Sequence, residues 1–114
     1  MAPSEKPSLD LLHGTLDMLV LKVLAAGPLH GYAIAQRIGQ ISRALLQVPQ
    51  GSLYPALHRL ENRGFLAATW TETEAGRDAK VYKVTAKGRR WLEQEVSDWQ
   101  RLSEAIHLVL QSAE

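Results

Sequence analysis

The stretch "PQGSLYPALHRLENRG", Pro49 to Gly64, decides how this chain is read. Leu53, Leu57 and Leu60 recur at helical spacing and make one apolar stripe, yet Pro55 stands only a few residues in. With Leu53 at the centre of the buried face and about 100° per residue, Leu57 and Leu60 fall within about 40° of it. Gly51, Pro55, His58 and Asn62 fall near the opposite pole, Tyr54 sits on the flank, and Arg59 and Arg63 stand alongside. The hydroxyl of Ser52, the phenol, the imidazole and the amide offer hydrogen bonds to base edges or phosphates, and Gly51 lets the backbone come close. That set reads as a DNA-reading helix; an ordinary exposed polar face is the alternative the stretch alone leaves open. If the helix begins at Gly51 or Ser52, Pro55 lies within or just past the first turn, where at most one backbone hydrogen bond is lost.

Upstream, "LDLLHGTLDMLVLKVLAAGP" places Leu12, Leu16, Leu19, Val20, Val23 and Leu24 at helical intervals until Gly27 and Pro28 stop the pattern. It predicts a first helix over residues 9–26. Leucines at 9, 11 and 21 widen its apolar surface beyond one stripe, so it packs on two sides, one of them suited to another subunit. "LHGYAIAQRIGQI" follows closely as a second, shorter helix.

Downstream, "FLAATW" (65–70) and "KVYKVT" (80–85) are rich in aromatic and β-branched residues and flank the polar loop "TETEAGRDA". They predict a two-stranded hairpin. Thr85 is a credible N-cap for a long last helix reaching about Gln111, with Leu92, Val96, Trp99, Leu102, Ile106 and Val109 spaced by threes and fours. A helix of that length cannot hide its stripe against so small a domain, so pairing with a second copy is expected. The order helix, helix, helix, hairpin, helix makes a mainly α chain with a small β hairpin. It is a winged helix-turn-helix over residues 9–85, preceded by a flexible tail over 1–8 and followed by a dimerisation helix over 86–114.

The charge distribution agrees. The chain has 114 residues and a net charge of +1. Residues 37–90 hold ten basic side chains against four acidic, whereas the remainder holds three against eight. A basic middle between acidic flanks points to a nucleic-acid face on the middle segment. Arg77, Lys80, Lys83, Lys87, Arg89 and Arg90 stand against Asp78 alone within fourteen residues, a composition suited to phosphate neutralisation.

Other chemistries find little support. With no cysteine there is neither a disulfide framework nor a thiolate metal site. His13, His30, His58 and His107 lack any short ligand spacing, so no metal is expected. No phosphate-cradling glycine loop or nucleophile elbow occurs, and neither catalysis nor a cofactor is expected. No apolar run approaches a membrane span, and the polar start "MAPSEKPSLD" has no apolar signal region, so a soluble, cytoplasmic protein is expected.

The segments "LLHGTLDMLVLKVLAAGPLHGYAIAQRI", "GSLYPALHRLENRGFL" and "GRDAKVYKVTAKGRRWL" together resemble the PadR family of bacterial transcriptional regulators, from about Leu11 to Leu110. The resemblance is to the short subgroup with a single terminal helix. It implies a homodimeric winged-helix repressor that binds a dyad-symmetric operator and is released by a small aromatic or hydrophobic effector. Carried over by position, Ser52, Leu53, Tyr54 and Pro55 fall in the segment that enters the major groove. Gly76, Arg77 and Lys80 fall at the wing tip, and Trp99 matches a tryptophan that faces its symmetry mate across a ligand cavity in multidrug-sensing members.

The expected DNA-contacting residues are therefore Gly51, Ser52, Tyr54, Pro55, His58, Arg59, Arg77 and Lys80. The expected dimer interface is Leu12, Leu16, Leu92, Val96, Trp99, Leu102, Ile106 and Val109, with Trp99 also the candidate effector contact. The other class compatible with the pattern is a winged-helix module that dimerises or binds protein without reading DNA.

Overall fold

A computed structural model of the chain describes residues 14–72 and 74–113. The proposed tail, Leu12 and His13 lie outside them. Four α-helices and three short strands follow in the order α1 (Thr15–Ala25), β1 (Leu29–His30), α2 (Gly31–Ile41), α3 (Gln50–Asn62), β2 (Leu66–Glu72), β3 (Asp78–Val84) and α4 (Ala86–Leu110).

Helix α1 starts at Thr15, later than the apolar pattern suggests, because Gly14 takes a left-handed conformation at φ 89° and a right-handed helix cannot run through it. Its wide apolar surface is spent inside the chain: Leu16, Met18, Val20, Leu21, Val23 and Leu24 are all buried. Leu53, Ala56, Leu57 and Leu60 of α3 meet them with Ile34 and Ile38 of α2, which closes the three-helix core. The α2–α3 connection turns through Arg43 and Ala44, both left-handed. The Ser42 hydroxyl braces it by accepting from the Leu46 N–H at 3.0 Å.

The sheet has one strand more than expected. Leu29 and His30 pair with Tyr82 and Val81, so the order is β1-β3-β2, antiparallel throughout. A two-residue strand is too short to show any alternation, which is why the pattern reveals only the hairpin. In the hairpin itself the register runs from Leu66 opposite Val84 to Glu72 opposite Asp78.

Thr85 then caps α4 as its sequence position suggests: its hydroxyl accepts from the Gly88 N–H at 3.0 Å and donates to the Gly64 carbonyl at 2.7 Å. The first turns of α4 stay on the domain through Leu92, Trp91 and Val96. Trp91 stacks on Phe65 with ring centres 5.2 Å apart, and the Arg63 guanidinium lies over both rings. Beyond Val96 the helix leaves the domain, and Trp99, Leu102, Ile106, Val109 and Leu110 are exposed.

Candidate nucleic-acid interface

Helix α3 begins at Gln50, one residue earlier than the sequence suggests, with the Pro49 carbonyl accepting from Ser52 and Leu53. Pro55 is thus the sixth helical residue, and the bond it cannot give is the one to the Gly51 carbonyl, on an exposed residue that water reaches. Gly51, Ser52, Tyr54, Pro55, His58 and Asn62 share the exposed face, opposite buried Leu53, Leu57 and Leu60. Tyr54 lies low across the start of α2: a Cβ at Gly31 would stand 3.2 Å from the Tyr54 ring and 3.4 Å from that of Tyr82. Gly31 is thus what lets the two rings approach the helix start.

Arg59 sits differently from the other expected DNA contacts. Its guanidinium donates to the Asp17 carboxylate at 2.8 Å, and Asp17 is the one buried charged side chain among the described residues. The arginine ties α3 to α1, with its side chain 46% exposed. The sequence held no signal for this partnership, because the two residues stand 42 apart and on different helices.

Lys80 also departs from its expected place. It stands within β3 opposite Trp70, above the tip that holds Gly76 and Arg77. Its ammonium donates to Glu61 of α3 at 3.1 Å and lies 5.3 Å from the Tyr82 ring centre and 6.0 Å from that of Trp70. The hydrogen bond to Glu61 raises the lysine above its ordinary pKa, with partial burial opposing. Glu61 and Lys80 therefore fasten the wing to the recognition helix. Arg77, Lys83, Lys87, Arg89 and Arg90 remain exposed along the wing and the start of α4.

Two concavities flank these elements. One, of about 570 Å³, lies between the start of α3 and the wing, lined by Tyr32, Tyr54, Trp70, Arg77, Lys80 and Tyr82 among others. Trp70, which the sequence pattern marks only as a strand residue, is 67% exposed there. The other, of about 390 Å³, lies between α1 and α4 and is lined by Met18, Trp99, Leu102 and Ile106 with Glu95 and Asp98. Of the expected dimer-interface residues, Leu16 and Leu92 are already buried in the chain's own core, Val96 is half-buried against it, and Trp99, Leu102, Ile106 and Val109 face solvent.

No group of three or more His, Asp or Glu side chains among the described residues is placed to hold a metal ion. His58 and His107 are exposed, and His30 stacks on Tyr32. No helix among the described residues is long and apolar enough to cross a membrane.

The model of the PadR-like transcriptional regulator family matches residues 20–94. A transcriptional regulator of Mycobacterium tuberculosis is 36% identical over 76 residues, which make up 67% of each chain. Among solved structures, a PadR family transcriptional regulator from Eggerthella lenta is 31% identical with a TM-score of 0.77, over 87% of this chain and 84% of its own. A PadR-like transcription factor from Bacteroides fragilis is 32% identical with a TM-score of 0.71, over 84% and 90% respectively. With its winged-helix fold and the family's match over residues 20–94, the chain belongs to the PadR-like transcriptional regulators: it is a DNA-binding regulator of transcription and not an enzyme.

Proposed function

We propose that the protein is a homodimeric repressor. Two copies join through α4, and their α3 helices meet successive major grooves of a dyad-symmetric operator, about one turn of DNA apart. The observation that carries this reading is the division of exposed surface. Polar side chains and an open Gly51 occupy the solvent face of α3, while a stripe of large apolar side chains occupies the solvent face of α4. The first suits DNA and the second suits a copy of itself.

In this reading Gly51, Ser52, Tyr54, Pro55 and His58 face the major groove, and the wing contacts the backbone through Arg77. Arg59 and Lys80 act mainly from behind, through Asp17 and Glu61. Release falls to a small aromatic or hydrophobic molecule seated beside Trp99 in the groove between α1 and α4. Such a ligand acts only through its differential affinity for the DNA-competent and incompetent arrangements of the dimer.

The test is a footprint on the DNA upstream of the protein's own gene, repeated at raised salt. A two-fold-symmetric footprint whose affinity falls by orders of magnitude between about 50 and 200 mM salt is expected. If duplex DNA of any sequence is bound no better than an acidic protein surface, a winged-helix module that pairs with protein replaces the repressor.

A further inference from the structure

The hollow between α3 and the wing holds a contradiction. It has a volume of about 570 Å³, with the rings of Tyr32 and Tyr54 from the helices and of Trp70 and Tyr82 from the sheet in its walls. A surface so apolar is normally closed by the chain itself, yet Trp70 is left 67% exposed and Tyr32 60% exposed. Lys80 does not cover the indole closely: its ammonium is drawn to within 3.1 Å of Glu61 and stands 6.0 Å from the Trp70 ring centre. His30 lines the same hollow, and its Nδ1 is buried without a hydrogen-bond partner among the described residues.

What would lie over this hollow follows from duplex geometry, on the proposed reading that α3 enters the major groove and the wing contacts the backbone beside it. On the wing's side the major groove is divided from the minor groove by one sugar–phosphate strand. The strand has to cross between α3 and the hairpin, which is where the hollow is. The charges fit one phosphate better than a run of them, because Asp78 lines the hollow together with Arg77 and Lys80. The rings fit the apolar face of a sugar.

We propose that this hollow is the seat of the DNA strand dividing the two grooves, with Trp70 packed on a deoxyribose and Arg77 set toward an adjacent phosphate. Trp70 is thereby a DNA-contacting residue that adds affinity without reading a base. Its contribution is apolar, so it differs from that of the wing cations in being nearly independent of salt.

The test uses the full chain and a duplex that it enriches from a random pool. Oxidation of Trp70 by hydroxyl radicals, read by peptide mass, is expected to fall at least about fivefold on DNA binding. Trp70→Ala is expected to weaken binding about tenfold with an unchanged salt slope, Trp70→Phe to restore most of the affinity, and Arg77→Ala to lower the slope by about one. Since Trp70 is exposed, an unchanged unfolding midpoint should accompany these losses. If purine N7 protection shows α3 in the major groove while Trp70 stays fully reactive and Trp70→Ala binds normally, the hollow is open in the complex and the proposal fails, leaving a small aromatic ligand as its occupant. If no duplex is enriched or no N7 is protected, the underlying reading of α3 fails, and this proposal with it.

Discussion

The Arg59 guanidinium lies 2.8 Å from the Asp17 carboxylate, joining the recognition helix to α1 through a pair that is open to solvent on the arginine side and closed on the aspartate side. Removing the arginine strands a buried carboxylate. Because Arg59 is half-exposed, water reaches part of the site, so the loss stays below the 3–5 kcal/mol typical of a fully buried pair. Arg59→Ala is expected to cost about 2 kcal/mol in urea unfolding, and a double-mutant cycle with Asp17→Asn to give a coupling of about 1 kcal/mol or more. Wild-type stability in Arg59→Ala, joined to a large loss of DNA affinity, would return Arg59 to the base-facing set.

The exposed apolar stripe of α4 predicts the behaviour of charge placed within it. Ile106→Glu should leave the domain folded, since Ile106 is 49% exposed and not among the buried core residues, and should shift the mass in light scattering from a dimer toward the 12.7 kDa of one chain. Operator affinity should fall about 100-fold or more, because two linked half-site contacts become two separate ones. A monomeric wild-type chain at micromolar concentration would overturn the role given to α4.

The pair between Glu61 and Lys80 sets a pH window. The raised pKa of Lys80 means that the folded state holds its proton more tightly than the unfolded chain does. The stabilisation is therefore fully present below the ordinary lysine value of 10.5 and is lost as pH rises through the higher folded value. Between pH 6 and 9 the difference in unfolding free energy between wild type and Lys80→Met should stay constant, and it should shrink only above about pH 10.5. Urea titrations of both proteins at pH 7, 9 and 11 check this, and a difference that changes between pH 7 and 9 would assign the linkage to another group.

How much of this was legible in the sequence depends on the range over which each feature is encoded. The face of α3 was legible because helical periodicity is local, and Thr85 as a cap because its partner Gly88 is three residues away. Leu16 and Leu92, which the stripes suggest for an interface, are buried within the chain's own core, since a helical stripe records that a face is covered without recording by which chain. Strand β1 and the partners of Arg59 and Lys80 depend on contacts between residues 19 to 53 positions apart, where one sequence carries no periodic signal. Trp70 reads as an ordinary strand aromatic until the sheet faces α3 across an open hollow.

Two glycines make opposite predictions. At Gly88 an added Cβ would collide with the Phe65 carbonyl, which already accepts from the Thr85 N–H at 3.0 Å and so fixes where α4 leaves the sheet. The clash is with backbone on both sides and cannot be relieved by a rotamer change. Gly88→Ala should therefore cost about 2 kcal/mol or more despite the better helix propensity of alanine. At Gly51 an added Cβ meets nothing within 4 Å, so Gly51→Ala should leave stability unchanged or raise it by up to about 1 kcal/mol. The same methyl points out from the face of α3 that the proposed function sets against DNA, and it should weaken operator binding about tenfold. Thermal unfolding and a binding titration on the same two variants separate the cases. A Gly51→Ala protein that binds its operator as tightly as wild type would mean that the α3 backbone stands off from the bases, with only its side chains reaching them.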